Sequence, residues 1–248
     1  MYEYRLECWS GRLCNNLIQL TDVIYTARKK NGRFEMNLQH SIIKPFKLRF
    51  NDGTPLPKKM YNEPFYNSEI QLNERREILQ RYILANCRLP SLTPINCLVI
   101  HMRGGDILRQ SPPPHSVYVQ PPLSFYKGVI EDCPVKKIII LTEDIPNPCA
   151  KLIANAYNNC TIQSSKLLND VTTFLQATHV CFNTAGTFGE TLALMSPNIK
   201  AAYIPKYKNS SPNWNVSFKV NQYELPDTYI QPGEWTASDE QINQMITS

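Results

Sequence analysis

Residues 97–106 read Cys-Leu-Val-Ile-His-Met-Arg-Gly-Gly-Asp, and this stretch decides the fold class. A short run of Leu, Val and Ile bounded by turn residues is typical of a strand buried on both faces of a parallel sheet. The glycines that follow permit positive φ angles and a close approach of the backbone to a ligand. Phosphate-bearing ligands bind at the carboxyl ends of such strands, and the guanidinium of Arg103 carries donors that fit a diphosphate. The stretch therefore predicts an α/β fold with a nucleotide site after this strand.

Strand-like and helical patterns alternate before this stretch. Residues 4–9 predict a strand, and residues 15–30 and 73–84 predict helices because their apolar residues recur at helical spacing. Residues 45–66 are rich in Pro, Asn and Lys, which predicts a long surface connection available for contacts with an acceptor. Residues 89–94 contain two prolines and predict the link to a second unit.

The chain after this link repeats the α/β pattern. Strands are predicted over 135–141 and 179–182, and helices over 123–131, 170–177 and 187–195. Three strands therefore end at one edge of a sheet, where the first amides of the last helix are placed to hold phosphate oxygens.

Three consecutive prolines at 112–114 exclude a helix interior or a central strand. Residues 108–122 are therefore predicted to form a stiff loop that stands beside His101 and Arg103. Such a loop would shape the acceptor site.

The length of 248 residues fits two lobes, because domains of about 100 to 150 residues are the commonest. We predict an α/β fold of two Rossmann-like lobes with a cleft between them. The N-terminal lobe, on the acceptor side, spans 1–92, and the C-terminal nucleotide-binding lobe spans 93–235. A helix over 236–248, which begins with a capping box at Ser238, is expected to pack back on the first lobe.

The composition indicates a folded chain with no nucleic-acid partner. A hydrophobic fraction of 42% is enough for a core, and 19 prolines indicate many rigid turns. The formal net charge is +5 and the basic residues are scattered. A nucleic-acid binder usually carries a basic stripe with interleaved aromatic residues, so the mild charge better fits a site that attracts anions.

The eight cysteines show neither C-x-x-C pairs nor zinc-like spacing. No metal site is expected, and most of these cysteines are predicted to be reduced core residues. Met1 leads into the first strand without an apolar leader, and no apolar stretch is long enough to span a membrane. We therefore expect a soluble chain, in the cytoplasm rather than the Golgi lumen. The sequons at Asn159, Asn209 and Asn215 would matter only in a secretory compartment.

Two further segments give the His-x-Arg motif its meaning. Residues 11–20 read Gly-Arg-Leu-Cys-Asn-Asn-Leu-Ile-Gln-Leu, and residues 179–188 read His-Val-Cys-Phe-Asn-Thr-Ala-Gly-Thr-Phe. In this order the three segments resemble the fucosyltransferase superfamily, in particular its α1,2/α1,6 and protein O-fucosyltransferase branches. The patterns of those families read roughly G-R-[LF]-G-N-Q, H-x-R and D-x(8)-H-x(3)-N-x(2)-S-[ST]-F. The resemblance covers most of the chain as spaced motifs and implies a glycosyltransferase fold of the GT-B type.

The resemblance implies roles for individual residues. Arg12 and Asn15 match the loop that lies against the donor sugar and its diphosphate, and His101 and Arg103 match the donor-phosphate motif. Asp170 matches an acid that contacts the nucleoside. In summary of these matches, the catalytic assignments fall on Arg103 and Asn15, and the donor-binding assignments on Arg12, His101, Asp170, Thr187 and Phe188.

Several positions depart from the family patterns. Cys14 stands where the family has Gly, and Asn16 where it has Gln. Gly104 replaces the second Arg of one branch, and Gly186 replaces a Ser, while Thr187 keeps a hydroxyl for a phosphate. These departures concern the donor sugar and base more than the reaction class.

The implied reaction moves a sugar from a nucleoside-diphosphate sugar, with GDP-fucose favoured, to a hydroxyl of a glycan or glycoprotein acceptor, with inversion at the anomeric carbon. Arg103 and the helix that begins at Thr187 would neutralise the departing diphosphate. The chain has no D-x-D signature, which predicts metal-independent transfer without a cofactor. Another donor, such as UDP-xylose, is an alternative on the same fold.

Structural roles are open for some of these residues. Asn15 and Asp170 would each also serve as a helix N-cap, and His101 could orient Arg103, bind phosphate or fill space. Arg103 differs, because a charged side chain directly after an apolar strand needs an anionic partner or water. Candidate acids for deprotonating the acceptor hydroxyl are Glu143, Asp144 and Glu190.

Two other classes of function compete with transfer. The motif departures favour an inactive glycan-binding module, whereas the retained Arg103 favours the enzyme. A P-loop kinase or sulfotransferase also binds phosphate at strand ends, but the sequence has no G-x(4)-G-K-[ST] motif.

Overall fold

The computed structural model describes residues 2–6, 8–50, 58–61 (backbone only), 69–143, 147–208 and 214–248. The chain forms two compact units. The first contains Met1–Ser91 and Asn215–Ser217, and the second contains Leu92–Trp214 and Phe218–Ser248.

The first unit is built on a four-stranded sheet with the order β3-β2-β1-β4. Its strands are β1 (Glu3–Leu6), β2 (Arg33–Met36), β3 (Phe46–Arg49) and β4 (Lys58–Tyr61). β1 is parallel to both β2 and β4, and only β3 runs antiparallel to its neighbour. β3 and β4 lie inside the 45–66 segment, so the expectation of a surface connection without strands is wrong there. The residues between these strands and just after β4, 51–57 and 62–68, lie outside the described part of the chain.

Two helices accompany this sheet. α1 (Leu13–Lys29) buries Leu17, Leu20 and Ile24 on the face that the sequence predicts. α2 (Leu72–Ile78) continues into a π-helical turn, Leu79–Ile83, and a short 3₁₀ turn. Asp22 of α1 and Arg75 of α2 form a buried ion pair at 3.4 Å.

The second unit contains a six-stranded sheet in which every strand is parallel to its neighbours. Its order is β7-β6-β5-β8-β9-β10. The strands are β5 (Ile95–Met102), β6 (Lys137–Thr142), β7 (Cys160–Gln163), β8 (Ala177–Phe182), β9 (Ala201–Lys206) and β10 (Lys219–Glu224). This is the strand order of a doubly wound nucleotide-binding fold.

The helices of the second unit are α3 (Leu123–Asp132), α4 (Pro148–Ala156), α5 (Leu167–Gln176), α6 (Thr187–Met195) and α7 (Asp239–Thr247). Leu98, Val99 and Ile100 of the central strand β5 are fully buried, as the apolar run predicts. The predicted class, an α/β fold of two Rossmann-like lobes, is confirmed.

The last helix is a correction. Ser238 caps α7 by accepting a hydrogen bond from the backbone N of Gln241, as the capping box predicts. The helix was expected on the first lobe, but it packs against α3 and α4 of the second unit. The physical reason is its apolar face, which places the buried Met245 in the core of that unit.

All eight cysteines are free thiols, and six of them are buried, which is the role predicted for most of them. Burial raises the pKa of Cys14, Cys149 and Cys181, so these thiols stay protonated. Among the helices described, none has the length and apolar character needed to cross a membrane.

Candidate functional site

The candidate site lies where the winding of the six-stranded sheet reverses. From β5 the chain adds β6 and β7 on one side and then returns to add β8, β9 and β10 on the other. The loops after β5 and β8 therefore leave the sheet in different directions. Ligands of doubly wound folds bind in the crevice at this switch point, outside the carboxyl ends of the strands.

Arg103 directly follows β5 at this point. Its Nη2 donates to both carboxylate oxygens of Asp106, at 3.3 and 3.2 Å, and its guanidinium lies over the ring of Tyr118 at 3.9 Å. Its Nε is buried and has no hydrogen-bond partner among the described residues. The side chain is 18% exposed and that of Asp106 is 51% exposed, so solvent reaches the pair. The protein thus fixes Arg103 while leaving part of its hydrogen-bonding capacity unused.

The loop after β8 brings the start of α6 to the same place. A Cβ added to Gly186, the N-cap residue of α6, would lie 3.7 Å from Nη1 of Arg103. Thr187 is the exposed first residue of that helix. A helix N-terminus and an arginine side by side form a strong anion site, because both present N–H donors and positive potential. The structure therefore brings together the predicted Arg103 and Thr187.

His101 and Phe188 form a second part of the site. Their rings stack with centroids 4.4 Å apart and an angle of 22°, so β5 and α6 are joined by an aromatic pair. Burial, with a smaller contribution from the charge of Arg103, lowers the pKa of His101 to about 4. His101 is therefore neutral near pH 7 and adds no positive charge for a phosphate. Its contact with Phe188 supports a role in holding α6 beside Arg103.

The neutral His101 predicts a pH dependence of stability. The unfolded chain binds a proton on this side chain near pH 6.5, whereas the folded chain binds one only near pH 4. The stabilisation from neutral His101 is therefore complete above pH 6.5 and is lost as the pH falls towards 4. We expect the unfolding free energy of the wild type to fall more steeply over this range than that of His101→Phe, which keeps an aromatic ring on Phe188. Urea titrations at several pH values measure this, and parallel profiles for the two proteins would contradict it.

Asp170 is held by its own neighbourhood. Its Oδ1 accepts hydrogen bonds from Gln163 Nε2 and Ser165 Oγ, both at 2.7 Å, and thereby ties α5 to the end of β7. The N-cap of α5 is Lys166, so the alternative role of Asp170 as an N-cap is wrong. The contact with a nucleoside stays a prediction.

Arg12 and Asn15 belong to the first unit, between the end of β1 and the first turn of α1. Arg12 itself is the N-cap of α1, so the N-cap alternative for Asn15 is wrong. Both side chains are exposed. Gly11 has φ of 69°, and a Cβ there would lie 2.4 Å from Nδ2 of Asn15, so this turn requires glycine. The loop is thus built around a close approach of Asn15 to the backbone.

The structure adds two residues that the sequence analysis did not assign to the site, Asp106 and Tyr118. The spacing Arg103-x-x-Asp106 across a Gly-Gly turn is a signal that would have found the first. No local pattern indicates Tyr118, which reaches Arg103 from the far part of the proline-rich loop.

Of the candidate acids, Glu143 lies beside the turn after β5, since a Cβ on Gly105 would be 2.5 Å from its Oε2. Gly105 also has φ of 64°, so glycine is needed there for two reasons. Glu190 lies in the first turn of α6. Asp144 is outside the described residues. In the part of the chain that the structure describes, no group of three or more His, Cys, Asp or Glu side chains is placed to hold a metal ion.

Comparison with solved structures gives two matches over nearly the whole chain. The E. coli heptosyltransferase WaaC with ADP-2-deoxy-2-fluoro heptose is 10% identical, with 98% of each chain covered and a TM-score of 0.46. The same heptosyltransferase with ADP is 10% identical, with 98% of this chain and 96% of that chain covered and a TM-score of 0.43. Neither a protein-family model nor a curated protein matches significantly. A likeness of this size carries no weight for function, which is inferred from the site itself.

Proposed function

We propose that this chain is a glycosyltransferase whose second unit binds the diphosphate of a nucleoside-diphosphate sugar. The observation that supports this most directly is the meeting of Arg103 with the N-terminus of α6 at the switch point of the sheet. A diphosphate needs a planar fork of donors and a set of backbone amides, and these two elements supply them.

The chemistry of transfer fits such a site. The acceptor hydroxyl oxygen forms a bond to the anomeric carbon while the bond from that carbon to the diphosphate breaks, and the diphosphate takes the electron pair. Negative charge therefore grows on the leaving group, where Arg103 and the amides at Thr187 are placed to stabilise it. The donors are fixed in advance by the contacts of Arg103 with Asp106 and Tyr118, so little reorganisation is needed. The hydroxyl proton leaves to a carboxylate, for which Glu143 and Glu190 are the candidates in the second unit.

The donor we propose is GDP-fucose, with a glycan or glycoprotein hydroxyl as the acceptor. This choice rests on the three motifs at residues 11–20, 101–103 and 170–188. The residues proposed for the donor sugar, Arg12 and Asn15, lie at the carboxyl end of β1 in the first unit, a normal ligand position in α/β folds. Transfer is proposed to need no metal ion, because Arg103 carries the charge that would otherwise balance the diphosphate.

Calorimetric titration of the full chain with GDP and with UDP, in buffer containing EDTA, tests the donor. We expect GDP to bind at least tenfold more tightly, because a polar base site leaves buried groups unpaired when the base edge is wrong. A preference for UDP would reject fucosyl transfer and favour another donor, such as UDP-xylose, on the same site. Transfer assays with a panel of nucleotide sugars complete the test. A chain that binds glycan but neither nucleotide would be an inactive glycan-binding module, and the enzyme proposal would fail.

A further inference from the structure

The segment 229–235 holds both structural elements that contact Arg103, although it lies far from them in sequence. Tyr229 and Trp235 of this segment are almost fully buried. We propose that Trp235 is a positioning residue of the donor site, acting through the Asp106 turn and the Tyr118 loop on the guanidinium of Arg103. This inference rests on the proposed function of Arg103 as the diphosphate ligand.

The first contact reaches the turn that carries Asp106. Trp235 Nε1 donates to the backbone carbonyl of Ile107 at 2.8 Å, across 128 residues of sequence. Ile107 lies in the 3₁₀ turn Gly105–Leu108 and is itself buried. The carboxylate of Asp106 in this turn accepts from Arg103 Nη2. The indole therefore fixes the turn from below while Asp106 holds the guanidinium from the side.

The second contact reaches the loop that carries Tyr118. The backbone N–H groups of Gly233 and Trp235 both donate to the carbonyl of Ser116, at 2.9 and 3.2 Å. The Tyr229 hydroxyl donates to the carbonyl of Gln120 at 2.6 Å. These bonds lie on both sides of Tyr118, whose ring stacks on Arg103. The loop is thus fixed on either side of the residue that touches the guanidinium.

The physical reason for such a clasp is the freedom of an arginine side chain. Its rotamer entropy is about 2 kcal/mol, and an unrestrained guanidinium would have to lose that freedom when the diphosphate binds. Ordering the fork in the folded protein removes this cost from binding and from the transition state. Asp106 and Tyr118 do the ordering, but both lie on segments without strand or α-helical support. Trp235 and its neighbours provide that support.

The first experiment measures the order of Arg103 without any ligand. The variant Trp235→Phe keeps an aromatic ring in the core and removes the indole donor. Hydrogen exchange of the Arg103 Nε–H, followed by ¹⁵N NMR and assigned with Arg103→Lys, is expected to be slow in the wild type, because that atom is buried. We expect exchange at least tenfold faster in Trp235→Phe. A folded Trp235→Phe with exchange within twofold of the wild type would overturn the proposal.

The matched control is Trp9→Phe. Trp9 Nε1 also donates to a backbone carbonyl, that of Gln39, at 2.8 Å, but in the first unit. The same chemical change there should leave the exchange of the Arg103 Nε–H unaltered. Should Trp235→Phe fail to fold, Tyr229→Phe removes one oxygen from the second contact. Faster exchange in it supports the clasp, and unchanged exchange contradicts it.

The second experiment is a double-mutant cycle on GDP binding with Trp235→Phe and Asp106→Asn. If Trp235 acts through the Asp106 turn, its roughly tenfold effect on affinity should shrink in the Asp106→Asn background. Fully additive effects would show that Trp235 acts by general destabilisation and would overturn the positioning role. A wild type that binds neither GDP nor UDP would refute the proposed function. The NMR exchange measurement would still decide whether the clasp orders Arg103.

Discussion

Replacing Arg103 with Ala is expected to reduce transfer by at least about 10²- to 10³-fold, the loss typical of removing one preorganised donor from a developing negative charge. The fold should survive. Arg103 is partly exposed and its ion-pair partner Asp106 is half exposed, so solvent screens the pair and its loss costs about 1 kcal/mol or less. Steady-state kinetics with the donor identified by titration, paired with thermal melts, measure the two effects separately.

Two further variants sharpen this prediction. Arg103→Lys keeps the charge but loses the planar fork, so it should recover only part of the activity. Arg109→Ala removes an exposed arginine from the same loop and should leave kcat/KM within a few-fold of the wild type. A folded Arg103→Ala with near-normal transfer would show that the leaving group is stabilised elsewhere.

The change Gly189→Ala is expected to destabilise the chain by roughly 2–3 kcal/mol, although alanine is the better helix former by about 1 kcal/mol. Gly189 lies in α6 where the helix crosses β8, and an added Cβ would be 2.3 Å from Cβ of Phe182. Phe182 is fully buried between Phe174 and Trp214 and has no room to move. The helix itself must therefore shift, and the contact of Phe188 with His101 should be disturbed with it.

The matched control is the same substitution at Gly128. This glycine lies in the interior of α3, and its nearest neighbour to an added Cβ is Tyr223 at 3.9 Å. Here only helix propensity acts, so Gly128→Ala should stabilise the chain by about 0.5–1 kcal/mol. Urea unfolding of both variants decides the matter. Equal changes of the same sign would mean that α6 has more freedom to move than the packing at Phe182 indicates.

The parts of the fold that were predictable are those where burial leaves a periodic or continuous apolar signal. The central strand β5 and the helix α6 were predicted nearly to the residue, because each is apolar and bounded by turn residues. β7 and β10 were missed. They are the edges of the sheet, and their partly exposed residues, such as Ile162 and Asn221, give neither a buried run nor a clean alternation.

The same distinction holds for the site. Arg103, His101 and Thr187 stand directly at the ends of well-predicted elements, so their positions follow once the strand order is known. The order itself is not encoded locally, because β5 pairs with β8 across two intervening strands. Contacts such as Trp235 with Ile107 depend on that order and on a loop without regular structure. They become visible only in three dimensions.

The position of β5 at the centre of a parallel sheet also has a consequence for how the molecule is made. One of its two partners, β6, follows after a single helix, but β8 arrives only after β6, β7 and three helices have been synthesised. Until then one hydrogen-bonding edge of the most apolar strand is unpaired. Such long-range parallel pairing is slow, because the closure of a long loop must come before the contacts that reward it.

An unpaired apolar strand edge is a template for association with other chains. The crevice beside Arg103 does not exist until β8 closes against β5, since both of its walls start from those strands. The nascent chain therefore passes through its most aggregation-prone state just before it gains a ligand site. A ligand that binds this crevice would stabilise the late folded state and draw the slow pairing step to completion.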